Sequence, residues 1–155
     1  MTTFFRLRSE PSGTAYELLL RYLLQKESAY GVVWREQLKF TEEARHFGDV
    51  LGAYRLSRRR TDHWPGTQLG RPHLAVVETY RCDIAALPIL RAPGSLFAWR
   101  SPKYPEDLHF LSSSGVPSLI TVAHEQYAWI ASDDVARDLS QLIPLEKEEV
   151  SEDEG

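Results

Sequence analysis

The sequence predicts an α+β fold: a single domain with a mainly antiparallel sheet of about five to seven strands and three to four helices. Three observations carry that reading. Short alternating stretches with turn residues between them recur, most densely over Pro105–Ile130 (PEDLHFLSSSGVPSLITVAHEQYAWI). A leucine-rich segment at 14–26 repeats at helical spacing, and capping residues mark further helix starts. With 43% hydrophobic and 11% aromatic residues in 155, the chain has material for one core.

Thr3–Leu7 reads as a first edge strand before a turn at Ser9–Gly13. Thr14 and Glu17 have capping-box spacing, in which hydroxyl and carboxylate each accept from the other's backbone N–H. The helix they open runs to Lys26, with Tyr16, Leu19, Leu20, Leu23 and Leu24 toward the core. Tyr30, Val32 and Trp34 alternate, giving a strand to about Leu38. Thr41-Glu42-Glu43 starts a second helix, with a hydroxyl cap and two acids in the first turn; Ala44, Phe47, Val50 and Leu51 form its buried side, and Gly52 ends it. Ala53–Arg60 and His73–Arg81 are strands that pair across the turn Trp64-Pro65-Gly66-Thr67. Asp83 caps a short helix through Leu90, limited by Pro88 and closed by Pro93-Gly94.

Within 105–130, Ser112–Gly115 is a hairpin loop that sets Leu111 opposite Val116 and His109 opposite Ser118. In the following strand Ile120, Val122 and His124 share one face; Leu119, Thr121 and Ala123 share the other. Both faces are largely apolar, as in a central strand. Glu125-Gln126 is a short turn that places His124 beside Tyr127 and Val122 beside Trp129. The last helix starts at Ser132 and buries Val135, Leu139, Leu142 and Ile143.

Charge is uneven. Residues 1–143 hold 17 Lys+Arg against 16 Asp+Glu, while 144–155 hold one Lys against six acids. The domain is expected over 1–143, with 144–155 as a disordered acidic tail. No apolar run approaches the roughly 18–20 residues of a membrane span, and no signal-peptide pattern opens the chain. With Cys82 as the single cysteine, an internal disulfide and a cysteine-rich zinc site are excluded; the expected setting is cytoplasmic.

Trp64-Pro65-Gly66-Thr67, Leu96-Phe97-Ala98-Trp99, Pro105-Glu106-Asp107-Leu108 and the run Leu119–Glu125 (LITVAHE) follow one another in that order. This series resembles an uncharacterised bacterial family of small soluble proteins with WPGT, PEDL and AHE motifs. Some of its members are labelled stage III sporulation protein, a label that implies a membrane anchor. The resemblance covers about residues 14–131, and the PEDL and AHE motifs are its most specific part. It implies a shared fold and a shared surface rather than a mechanism.

Four residues have side chains suited to acid–base work: His124, Glu125, Glu106 and Asp107. A histidine oriented by a carboxylate can act as a general base in a small hydrolase-like enzyme. The simpler reading is structural: at a strand end the imidazole bonds a backbone carbonyl or a neighbouring carboxylate and locks the turn, and adjacent strand residues such as Glu106 and Asp107 point to opposite faces. The five histidines form no metal-binding pair, so no metal or cofactor is expected. Cys82, between Arg81 and Asp83, reads either as an activated thiol or as a small buried hydrophobe.

Arg58, Arg59 and Arg60, with Trp64 and Trp99, form the expected binding surface. Arginines from Arg55 to Arg60 with aromatics between them also fit a nucleic-acid-binding module, although the folded body is nearly neutral. A neutral body with an arginine patch, exposed aromatics and an acidic tail fits best a non-enzymatic protein-interaction domain. Immunity proteins and antitoxins are one such class, and the expected partner is another protein; the sequence leaves the oligomeric state open.

Overall fold

The computed structural model describes residues 2–150. Its strands are β1 (Thr2–Leu7), β2 (Ala29–Arg35), β3 (Arg55–Thr61), β4 (His63–Trp64), β5 (Thr67–Gln68), β6 (Ala75–Arg81), β7 (Glu106–Leu111), β8 (Pro117–Val122), β9 (Tyr127–Ile130) and β10 (Leu145–Val150). The helices are α1 (Gly13–Lys26), α2 (Glu42–Leu51), the single turn α3 (Leu87–Leu90) and α4 (Asp133–Leu139). Eight strands form one sheet in the order β10-β1-β9-β8-β7-β2-β6-β3, and β4 and β5 form a separate ribbon. Every neighbouring pair is antiparallel. The α+β reading holds, with one strand more than the expected upper count.

That extra strand is β10. The segment expected to be a solvated tail instead pairs with β1 from Leu7↔Leu145 to Thr2↔Val150. Leu145 packs against the main core, and the backbone ladder holds the charged residues after it. Composition registers the acids but not a sheet edge waiting for a strand. The ordered unit therefore continues through Val150, β1 is not an edge strand, and residues 151–155 lie outside the described residues.

The main core lies between the sheet and the helices. Tyr16, Leu19, Leu20, Leu23 and Leu24 of α1 are buried at the expected spacing, against Tyr30, Val32, Tyr80, Leu108, Phe110 and Leu119 of the sheet. On the opposite face Val33, Ala75 and Val77 pack with Trp64. The β4–β5 ribbon thus lies over that second face. Gly66 at its tip has φ +88°, and a Cβ there would stand 2.7 Å from Ile120 Cγ2. Both the positive φ and the close approach require glycine.

Thr41, Asp83 and Ser132 cap as expected, accepting from the N–H groups of Ala44, Ala85 and Val135. The capping box at Thr14 does not form. Ser12 occupies the N-cap without a side-chain bond, and Glu17 pairs with Arg21 and Arg91 instead. Val50 and Leu142 are exposed rather than buried. Strand β2 ends at Arg35 rather than Leu38.

Candidate functional site

Three of the four motifs, WPGT, PEDL and AHE, meet in one buried cluster, and a bulge in β7 brings them together. The β2–β7 register passes from Gly31↔His109 to Val33↔Glu106, so Val32 faces both Asp107 and Leu108. Asp107 takes a left-handed backbone, φ +54°, which aspartate tolerates better than most residues. The bulge breaks the alternation that would have sent Glu106 and Asp107 to opposite faces. Both carboxylates instead reach the turn that follows β8.

Asp107 is fully buried. Its Oδ1 accepts from the Ala123 N–H at 2.9 Å and its Oδ2 from Trp64 Nε1–H at 3.0 Å. The Arg35 guanidinium lies 3.6 Å from Oδ2 and 5.2 Å from the centre of the Trp64 ring. The Asp107 carbonyl accepts from His109 Nδ1–H at 2.9 Å. Burial holds the His109 imidazole below its usual titration range, so the ring is neutral at pH 7.

Glu106 is also fully buried. Its Oε1 lies 2.8 Å from His124 Nε2 and 3.3 Å from the Ser101 N–H, while Oε2 is buried without a partner. Burial raises the carboxyl above its ordinary range; His124 pulls it back, and the nearby Asp107 charge pushes the same way as burial.

His124 and Glu125 belong to a 3₁₀ turn, Ala123–Glu125, closed by Gln126 at φ +57°. The turn therefore begins one residue after Val122, and Val122 pairs with Tyr127 and Ile120 with Trp129. The expected pairs, His124 with Tyr127 and Val122 with Trp129, are each displaced because a four-residue turn replaces the two-residue one. At the other end of β8, Phe110↔Leu119 and Leu111↔Pro117 replace the expected register, again through a bulge.

Chemically, this arrangement is a latch. Asp107 ties the ribbon (Trp64), the β7 bulge and the β8–β9 turn (Ala123); Glu106 ties the same turn through His124. The side chain of His124 is 40% exposed, but its hydrogen bond runs inward to Glu106. None of the hydrogen bonds of Glu106, Asp107 or His124 reaches a serine, threonine or cysteine side chain. Glu125 is exposed at the end of the turn and has no part in the latch. Cys82 has the bland role of its two readings: burial pushes its thiol up to about 12, away from thiolate chemistry.

The expected binding residues divide. Trp64 is 4% exposed and Trp99 is fully buried, so neither offers the surface aromatic that the sequence suggested. Trp99 Nε1–H donates to the Tyr16 hydroxyl at 2.7 Å, which donates to the Leu90 carbonyl at 2.6 Å. Both tryptophans are core residues with a satisfied N–H.

Arg58, Arg59 and Arg60, by contrast, lie on β3, the outermost strand, and every side chain from Arg55 to Arg60 is exposed. Arg60 grips Glu36 with two bonds, 2.6 and 2.9 Å, and holds that carboxyl below its usual range. Arg55 pairs with Glu78 at 3.1 Å. Arg58 and Arg59 make no ion pair among the described residues. Behind the strand, a cleft of about 550 Å³ is lined by Trp34 and Phe40, by Arg45, Arg55 and Arg58, and by the carboxylates of Glu36, Asp49 and Glu78. The Nε1 of Trp34 is buried there with no partner. Sequence reading missed Arg35, Arg45 and Trp34, because their roles depend on which strand and helix stand beside them. No family model, no curated protein and no solved structure matches this chain.

Proposed function

We propose that the chain is a non-enzymatic protein-interaction domain, of the kind immunity proteins and antitoxins exemplify, and that β3 is its receiving edge. The observation that carries the reading is the terminal strand itself: seven residues with four arginines, unpaired on its outer side among the described residues and open to solvent from Arg55 to Arg60. Such an edge offers backbone donors and acceptors together with guanidinium forks, which suit an extended acidic segment. Charged residues also guard a sheet edge against aggregation. The cleft behind β3, lined by arginines and carboxylates, gives a partner's side chains room beside the edge.

Two alternatives carry less. A hydrolase-like mechanism needs a nucleophile beside the carboxylate-oriented ring, whereas among the described residues the side-chain hydrogen bond of His124 runs to Glu106 and none reaches a serine, threonine or cysteine. A nucleic-acid surface needs stacking aromatics beside the arginines, whereas Trp64 is buried and Tyr54 lies under Arg81, 5.2 Å away. The test is binding to the acidic products of genes adjacent to its own, with inhibition of their activity as a second readout. The double substitution R58E/R59E is expected to weaken such binding at least tenfold, and added salt to weaken the wild type. Hydrolytic turnover that H124A abolishes while the fold survives would overturn the reading.

A further inference from the structure

We infer that the partner of the β3 edge is β10 of a second copy of this chain, so that the domain assembles edge to edge. This rests on the interaction reading above and names its partner. Among the described residues the sheet ends in two free edges, and they carry opposite charge. At one end stands β3, RLSRRRT; at the other stands β10, LEKEEV, followed in sequence by SEDEG.

Geometry permits the match without inverting a molecule. The main sheet has eight strands and each neighbouring pair is antiparallel, so its two edge strands run in opposite directions. A copy displaced along the sheet therefore presents β10 antiparallel to β3, with the helices of both copies on the same side. The strands have seven and six residues, enough for a continuous ladder.

Side-chain faces agree as well. Leu145 packs into the helix-side core, so Glu149, four residues on, shares that side, and Glu148 points to the other. On β3, Arg59 stands opposite Val77 of the second core, while Arg58 stands opposite Glu78 on the helix side. Pairing Arg59 with Glu148 brings Arg58 to Glu149 in the same ladder. It also sets Lys147 against Arg60, whose charge Glu36 already offsets. Pairing β3 with β3, or β10 with β10, would instead stack like charges. The match joins different surfaces of the two copies, and an edge remains free at each end, so growth does not stop at a dimer.

The experiment is sedimentation velocity on the full chain over a concentration series. Runs at about 0.01 M and about 1 M salt span screening lengths of roughly 30 and 3 Å. The expected result is a mass that climbs past the dimer with concentration in low salt and returns to the monomer in high salt. R58E/R59E alone and E148K/E149K alone should each stay monomeric, and a one-to-one mixture should associate again. That rescue also shows that both variants are folded. If E148K/E149K fails to fold, E149K, which leaves the Arg6–Glu148 pair intact, takes its place. A wild type monomeric at every concentration in low salt, or association that both variants retain, overturns the inference. If the wild type is monomeric while R58E/R59E still abolishes binding of a separate acidic protein, this inference fails and the interaction reading stands.

Discussion

Asp107→Ala tests whether the buried latch holds the β4–β5 ribbon, the β7 bulge and the β8–β9 turn together. The substitution orphans two buried donors, Trp64 Nε1–H and Ala123 N–H, and removes the carboxylate beside Arg35. Each orphaned donor costs about 1–3 kcal/mol, and breaking a buried charge pair about 3–5 kcal/mol. These contributions overlap, so a total loss of about 3–5 kcal/mol is expected, a large share of the roughly 5–15 kcal/mol of a typical domain. Part of the loss is backbone: alanine at φ +54° is less at ease than aspartate. Asp107→Gly removes that part and should recover about 1 kcal/mol, no more. Asp107→Asn keeps one acceptor but sets an amide N–H₂ against a donor, and should fall between wild type and alanine. Urea unfolding at pH 7, followed by tryptophan fluorescence and far-UV circular dichroism, gives each value. A loss under about 1 kcal/mol for the alanine variant at unchanged m refutes the latch. Full recovery by glycine would refute it too, because backbone strain would then account for the whole effect.

Two further predictions concern neighbours of Asp107. Glu106 has a raised carboxyl pKa in the folded state against about 4.3 unfolded, so its contribution is fully present below that unfolded value and is lost as pH rises through the folded one. His124→Ala removes the group that lowers the folded value; its cost, about 1 kcal/mol at pH 7 because the ring is 40% exposed, should shrink toward pH 4 in a urea series. A cost that stays constant over that range contradicts the pairing, and Glu106→Gln should flatten the pH dependence in both backgrounds. At Gly31 an added Cβ would clash with His109 Nε2, so Gly31→Ala should cost about 1–3 kcal/mol, and the Gly31→Ala/His109→Ala double variant should lose clearly less than the sum of the singles. Strict additivity would show that the two sites do not touch.

The sequence by itself determined several features that depend on a few consecutive residues. Thr41, Asp83 and Ser132 mark helix starts because a short polar side chain satisfies backbone donors two or three residues on. The leucine spacing of α1 and the β3–β6 pairing across the WPGT ribbon were legible for the same local reason. The catalytic-looking residues were legible as a set, and His124 as a turn lock on a neighbouring carboxylate; the bulge that gathers both carboxylates was not.

Tertiary structure decided the rest. The β7 bulge, invisible to a period-two pattern, turns Glu106 and Asp107 toward one turn, where His124 and the Ala123 N–H meet them. Trp64 and Trp99 look like surface aromatics until Asp107 and Tyr16 supply their buried acceptors. Leu145–Val150 reads as a charged tail, and becomes a strand because β1 has an open edge beside it. In each case the deciding partner is distant in sequence: hydrogen bonds and packing are satisfied by whatever folding brings near, and local composition carries no record of it.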